Sequence, residues 1–201
     1  MAPPPPQPQQ ATRPRHLPLV RSIAMVLLAL VVVVGLAVLI AWVSVNPKKL
    51  KYSIEQGSIS DYNLTSNGHL NANFHFVLRA NNPNKRISIY YDRIEVTVSY
   101  EDQMLSINNV LPFYQRRHNV TYLDLDLAAR DVTLYGAVAR DLKMKKYSGK
   151  VDLDVKIRSK IRQKVGVFKI HRHLKIECGP LRVPFSSSKG EFERVFCDVD
   201  L

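Results

Sequence analysis

The longest apolar run of the chain begins at Ile23 and ends at Val45, and it contains neither a charged residue nor a proline. As an α-helix, these 23 residues span roughly 34 Å, enough to cross the roughly 30 Å hydrocarbon core of a bilayer. A cleaved signal peptide has a shorter apolar region of about 7–15 residues. Residues 23–45 are therefore predicted to form a single transmembrane helix that stays in the protein as an anchor. Ala37 and Ala41 form a small-xxx-small pair within it. Such a pair allows two helices to approach closely, so a homo-oligomer is compatible with the sequence.

After residue 46, apolar and polar side chains alternate in several separate stretches. The clearest stretch runs from Leu70 to Ala80, where the even-numbered residues are apolar and the odd-numbered residues are mostly polar. This period of two places one side of a strand on a core and the other in solvent. Full or shorter versions of the pattern predict further strands at 52–59, 94–100, 123–127, 151–158, 165–170, 174–178 and 192–199. A series of about seven strands predicts a mainly β domain, an antiparallel β-sandwich.

One segment of this domain departs from the period of two. Leu134, Val138 and Leu142 recur every fourth residue between Asp131 and Lys145. That spacing predicts one short helix, with an acidic residue near its start and basic residues near its end. We expect this helix to pack against one end of the sandwich.

The first 22 residues form a region of distinct composition. Seven of the twelve prolines of the chain lie in the first 18 residues. Such a segment has too few apolar side chains to build a core. The predicted organisation is therefore a disordered proline-rich tail at 1–22, a transmembrane helix at 23–45 and a β-sandwich domain at 46–201.

The formal net charge is +12, and much of it lies in one stretch. Between Arg140 and Lys175 the chain has 13 Lys or Arg residues against 3 Asp residues. Such a stretch suits an acidic partner, such as anionic lipid headgroups or a cell-wall polysaccharide, although a solvated strand face has the same composition. Nucleic acid is not favoured, because Tyr147 and Phe168 are the only aromatic residues of the stretch.

Two kinds of residue bear on which side of the membrane the domain lies. Asn63 and Asn119 begin N-glycosylation sequons, which are used only on the lumenal side. Cys178 and Cys197 are a disulfide candidate in such a compartment, or else two buried thiols. The basic residues that flank the helix do not decide the orientation, because there are three on each side. These features favour a cytosolic N-terminus and an extracytoplasmic domain.

No pattern in the chain predicts an enzyme, a metal site or a cofactor. Three Asp-x-Asp pairs occur in alternating segments, where both carboxylates face solvent: Asp124/Asp126, Asp152/Asp154 and Asp198/Asp200. His171 and His173 share one face of a strand but have no identifiable third donor, and zinc sites use three or four ligands. Neither a nucleophile elbow nor a phosphate-binding loop is present.

The domain also contains an ordered series of short motifs. These are Asn82-Pro83-Asn84, Ile87 to Asp92 with Tyr90 and Tyr91, Leu111 to Gln115 with a nearby Asn119, Lys164 to Gly166, and Cys197 to Val199. Together with the proline-rich tail and the single helix, the series resembles the plant NDR/HIN-like proteins, whose extracytoplasmic part is a late-embryogenesis-abundant group-two domain. Two positions differ from the usual family pattern: Arg116 replaces a common glycine, and Gln163 replaces a common tryptophan.

The resemblance implies a fold, a location and a role. The implied fold is a sandwich of fibronectin III-like topology, and the implied location is the plasma membrane with the domain outside. The implied role is a contribution to plant defence or stress responses without catalytic residues or cofactors. We therefore expect a membrane-anchored, non-enzymatic interaction protein that binds lipid, polysaccharide or protein partners. The alternative is a structural protectant of membrane or wall during dehydration or other abiotic stress.

Overall fold

The computed structural model describes residues 16–45, 47–186 and 190–201. Residues 1–15 of the predicted tail lie outside this range. The chain divides into two units, residues 1–46 and 47–201. In the first unit, helix α1 spans His16–Val45, so it begins before the predicted Ile23. A proline is tolerated in the first turn of a helix, which explains why Pro18 does not delay the start. Its segment Val20–Ile40 is long and apolar enough to cross a membrane.

The second unit is built from strands joined by short loops. Among its described residues there are ten strands and one helix: β1 (Lys51–Leu64), β2 (His69–Asn82), β3 (Ile87–Tyr100), β4 (Gln103–Val110), β5 (Phe113–Gln115), β6 (Asn119–Thr133), α2 (Gly136–Ser148), β7 (Lys150–Val165), β8 (Phe168–Pro184), β9 (Val195–Phe196) and β10 (Asp198–Asp200). Three of these strands have only two or three residues. Of the other seven, six contain a segment that the sequence predicts as a strand, and β4 was not predicted.

The strands form two antiparallel sheets. The first has the order β6-β2-β1-β9, and the second has the order β10-β8-β7-β3-β4, with β5 also paired to β3. Apolar side chains of the two sheets share one core, which includes Phe76, Leu125, Val96 and Ile157. The predicted fold class, a mainly β antiparallel sandwich of fibronectin III-like topology, is confirmed.

The described core lies entirely within the second unit. Its buried hydrophobic side chains run from Leu50 to Phe185, whereas the described side chains of α1 from 20 to 40 are exposed. Because burial of apolar area is the main favourable contribution to folding, we expect residues 47–201 to fold without α1.

Three local predictions are corrected by the structure. The helix begins at Gly136 rather than at Asp131, because β6 continues to pair with β2 as far as Thr133. The continuous strand predicted at 165–170 is interrupted by a two-residue turn, so that Val165 ends β7 and Phe168 begins β8. Gly166 there has φ +59°, a conformation that glycine adopts without steric cost. The strand predicted at 192–199 is two short strands on different sheets.

The loops of the sandwich collect at two ends. At the first, Lys51 lies opposite Asn81, and Ile87 lies opposite Val165. We call this the Lys48 end. It comprises residues 47–50, the loops 83–86 and 116–118, and the β7–β8 turn with its flanks, 164–169. The opposite end carries α2 and is called the α2 end.

Candidate interaction surface

Strand β7 presents a row of basic side chains on the outer face of the second sheet. Its residues Val155, Ile157 and Ile161 are buried in the core. Because side chains alternate across a strand, the residues between them face away from the core. These outward residues are Lys156, Arg158, Lys160, Arg162 and Lys164. The basic stretch noted in the sequence is therefore spread over a sheet face in its β7 and β8 parts, whereas its first four basic residues lie on α2.

Neighbouring strands add positive charge in register with this row. Arg158 lies opposite Lys175 of β8 and Glu95 of β3, and Lys160 lies opposite both Arg93 of β3 and His173 of β8. Opposed side chains on one face are about 4.5–5.5 Å apart at Cβ, and like charges there are destabilising. Among the described residues, the structure gives no ion pair to Arg158, Lys160 or Arg93. An anion bound at this place would relieve the repulsion.

A shallow pocket of ≈ 240 Å³ lies at this concentration of charge. Its charged and titratable lining residues are Arg93, Glu95, Arg158, Lys160, His173 and Lys175. We call it the cationic pocket. Four of the six are Lys or Arg and one is a carboxylate, so the lining is strongly positive. Arginine guanidinium groups bind carboxylate, sulfate and phosphate groups in a bidentate manner, which fits an acidic ligand.

Further along β7, Arg162 is held in place by two motif residues. Its Nη2 atom lies 2.6 Å from Oδ1 of Asp92, and its guanidinium carbon lies 4.5 Å from the ring centroid of Tyr90. Asp92 stands where the register between β3 and β7 shifts. The ion pair is half exposed, so its contribution to stability is on the order of 1 kcal/mol or less. Its main consequence is a fixed orientation for Arg162.

The motif Asn82-Pro83-Asn84 forms a clamp at the Lys48 end. The Nδ2 atom of Asn82 donates to the carbonyl of Ile87 at 2.8 Å, and the backbone N–H of Asn84 donates to Oδ1 of Asn82 at 3.1 Å. Asn84 in turn donates from Nδ2 to the carbonyl of Lys48 at 2.8 Å and accepts from the Lys48 N–H at 2.6 Å. The clamp ties the segment that leads into β1 to the loop between β2 and β3.

Tyr91 belongs to a buried polar network beside this clamp. Its hydroxyl lies 2.7 Å from that of Tyr52 and donates to Oε1 of Gln115 at 3.1 Å. Gln115 donates to the carbonyl of Ala80 at 2.8 Å. Burial raises the pKa of Tyr91 to about 12 and, together with the neighbouring Tyr91, raises the pKa of Tyr52 well above its usual value. Both phenols therefore stay neutral at physiological pH and serve as hydrogen-bonding groups within the core.

One residue of the acidic pairs, Asp152, lies between two cationic side chains. Asp152 is hydrogen-bonded by Lys145 at 3.3 Å and by Arg182 at 3.2 Å. Partial burial acts to raise the pKa of Asp152, but these two cations outweigh it and hold that pKa below its usual value. In the part of the chain that the structure describes, no three His, Cys, Asp or Glu side chains converge as a metal site would require.

The structure places the cysteines and sequons as follows. Cys178 and Cys197 are joined by a disulfide, which links β8 to the residue that precedes β10. Asn63 and Asn119 are both exposed, Asn63 near the α2 end of β1 and Asn119 at the Lys48 end of β6. Use of either sequon stays a prediction.

The β7–β8 hairpin has an exposed apolar tip that was not predicted from the sequence. Val167 is 87% exposed and Phe168 is 71% exposed. A continuous strand at 165–170, as predicted, has no tip at these residues. Gly166 was the available signal, because a glycine between two alternating stretches is typical of a hairpin turn.

Comparison with known proteins identifies relatives over most of the chain. The family model LEA_2, late embryogenesis abundant protein, matches residues 77–178. NDR1/HIN1-like protein 3 of Arabidopsis thaliana is 35% identical, over 87% of this chain and 78% of that protein. NDR1/HIN1-like protein 10 of the same plant is 34% identical, over 82% and 74%. The Arabidopsis thaliana protein At1g08160, described as uncharacterized, is 34% identical, over 89% and 81%.

Proposed function

This chain belongs to the LEA_2 family and to its NDR1/HIN1-like proteins, a plant family related to stress and defence, and on that premise we propose that it is a membrane-anchored interaction protein. Neither group is known as a family of enzymes. In this proposal α1 holds the sandwich at the plasma membrane, and the cationic pocket binds an acidic partner during a defence or stress response. The proposed activity is non-enzymatic.

The anchor is supported by the length and the exposure of α1. Its apolar segment of 21 residues spans roughly 32 Å as a helix, which matches the bilayer core. None of that segment is buried inside the protein. An apolar helix without a protein partner is unfavourable in water, so a lipid environment is the simplest way to bury it.

The proposed topology places the domain outside the cell and the N-terminus in the cytosol. It is supported by the Cys178–Cys197 disulfide, since disulfides persist in oxidising compartments, and by the two exposed sequon asparagines. The test is endoglycosidase treatment of the protein from plant microsomes. We expect a mobility shift that disappears when Asn63→Gln and Asn119→Gln are combined. If the untreated and treated proteins migrate alike, the outward topology loses its support.

The observation that carries the interaction proposal is the cationic pocket. Arg158, Lys160 and Arg93 are brought together by strand register without an ion pair among the described residues. An acidic polysaccharide such as polygalacturonate offers regularly spaced carboxylates to such a surface. Complementary charge of this kind sets both partner choice and salt dependence.

Binding of residues 47–201 to polygalacturonate at low salt tests the pocket. The variant Arg158→Gln with Lys160→Gln removes two cations. If each cation contributes on the order of 1 kcal/mol to the free energy of binding, binding weakens about thirtyfold. The matched control is Arg140→Gln with Lys143→Gln, which removes the same charge from exposed positions of α2. Equal losses in the two variants would mean a general effect of net charge and would refute the pocket. A wild-type domain that does not bind would refute the choice of ligand class.

A further inference from the structure

We infer that the Lys48 end of the sandwich is a lipid-docking surface, which rests on anionic phospholipid headgroups with the β7–β8 turn inserted among them. This inference goes beyond the cationic pocket, which lies on the sheet face. It rests on the proposed function in one respect, since the anchor is what brings this surface to a bilayer.

Few residues of the chain separate the Lys48 end from α1. Only Asn46 and Pro47 lie between Val45, the last residue of α1, and Lys48. An extended chain covers at most about 3.6 Å per residue, so the connection is at most about 11 Å long. The two hydrogen bonds between Lys48 and Asn84 then fix Lys48 to the sandwich. Lys48, which is fixed to the sandwich, is therefore only three residues along the chain from the end of the proposed anchor.

The Lys48 end carries positive charge without acidic neighbours in its segments. Residues 47–50, 83–86, 116–118 and 164–169 contain no Asp or Glu. Their basic residues are Lys48, Lys49, Lys85, Arg86, Arg116, Arg117, Lys164 and Lys169, all of them exposed. Strand register brings these segments together: Asn82 lies opposite Asn119, and Ile87 lies opposite Val165. Lys and Arg side chains close to a bilayer surface are attracted to the anionic headgroups of that surface.

The β7–β8 hairpin adds an apolar wedge to this charged surface. Val165 is paired with Phe168, so their side chains lie on the same face of the hairpin, and Ile170 shares that face by alternation. Phe168 is 71% exposed and Ile170 is 43% exposed. Lys164 and Lys169, a further opposed pair, lie on the other face. The hairpin thus has apolar residues on one face and at its tip, and lysines on the other face. This arrangement suits the boundary between headgroups and acyl chains, because apolar side chains become buried there while lysine ammonium groups stay hydrated.

The turn is built to hold this wedge rigidly. The β7–β8 ladder continues without interruption from Val155–Cys178 to Val165–Phe168. Only Gly166 and Val167 connect the two strands. Val167, at the tip, is 87% exposed, and such exposure of a large apolar side chain next to another is the pattern of a contact surface. Asn119 lies at the same end of the sandwich, where a glycan would stand between the domain and the headgroups. Docking therefore also predicts that a glycan is carried at Asn63 and not at Asn119.

Fluorescence of residues 47–201 tests the inference without the anchor. Trp42 is the only tryptophan of the chain, so this domain has none, and Phe168→Trp introduces a single reporter. The control is Tyr147→Trp on α2, at the opposite end, where Tyr147 is 82% exposed. With vesicles of phosphatidylcholine and phosphatidylglycerol, we expect brominated lipid to quench the first reporter and not the second. Equal quenching of both, or of neither, would overturn the inference.

Vesicle flotation measures the contribution of the lysines. Lys164→Gln with Lys169→Gln should lower the partition coefficient about fivefold for each residue, or about 1 kcal/mol each, and high salt should act in the same direction. Arg140→Gln with Lys143→Gln is the matched control and should have little effect. Equal losses in both variants would contradict docking through the Lys48 end. Failure of the anchor would instead appear when the full chain is extracted from membranes, and it would leave these measurements unaffected.

Discussion

Replacing Asn82 with alanine should strongly destabilise the domain. Asn82 is fully buried. Its Nδ2 donates to the carbonyls of Ile87 and Arg116 at 2.8 and 3.2 Å, and its Oδ1 accepts from the Asn84 N–H at 3.1 Å. Asn82→Ala leaves these three backbone groups without that partner. A buried group left unsatisfied costs about 1–3 kcal/mol; some rehydration at this end of the sandwich reduces the sum, so we expect a loss of about 3–5 kcal/mol in the free energy of unfolding.

Urea unfolding of residues 47–201, followed by circular dichroism, measures this loss as a shift of the midpoint at constant slope. A domain of this kind typically has a total stability of about 5–15 kcal/mol, so the variant should be visibly less stable. The control is Asn81→Ala at the adjacent position, where Asn81 is half-buried and the described residues provide no side-chain hydrogen bond. If the two variants unfold at the same urea concentration, the clamp does not contribute as argued.

Three further predictions concern other parts of the domain. Cys178→Ser with Cys197→Ser removes a disulfide that closes a loop with a sequence separation of 19, and it should lower the free energy of unfolding by about 3 kcal/mol in the chain-entropy account. We expect a lower urea midpoint than wild type under oxidising conditions and no difference from wild type under reduction. The pKa of Tyr91 is raised to about 12 in the folded domain, compared with about 10 in the unfolded chain. The neutral phenol therefore contributes its full stabilisation of the fold below pH 10, and about 3 kcal/mol of the free energy of unfolding is lost as the pH rises towards 12. In Tyr91→Phe this alkaline loss should shrink, and an unchanged profile of stability against pH would contradict the assignment. Gly166→Ala places a side chain at φ +59° and should cost about 1–2 kcal/mol, measured as a lower melting temperature, whereas Gly136→Ala, where space is open, should not.

The regular part of the fold follows from local patterns in the sequence. The stretch from Leu70 to Ala80 alternates because one face of β2 packs on the core, and that alternation is visible without a structure. The error at the helix has a physical cause. Asp131 to Thr133 fit a helical spacing, yet β6 remains hydrogen-bonded to β2 as far as Thr133, and tertiary pairing outweighs local helix propensity.

The surfaces are less accessible from the sequence because they depend on register. The basic stretch from Arg140 to Lys175 is evident in the composition. The position of Arg93 opposite Lys160 is not, because it follows from the shift in register at Asp92. The Lys48 end depends on contacts between segments that are distant in the chain, such as the hydrogen bonds from Lys48 to Asn84. No local pattern encodes such contacts.

The central claim is that α1 anchors the sandwich to a membrane, and alkaline carbonate extraction tests it most directly. Membranes from plant cells that express the full chain are washed at high pH, which releases peripheral proteins but not spanning ones. A matched variant, Leu30→Arg with Val33→Arg, places two charges mid-helix at a cost of about 2.5–3.5 kcal/mol each. The account predicts that the wild-type chain stays in the membrane pellet and that the variant does not. Release of the wild-type chain into the supernatant would contradict the claim.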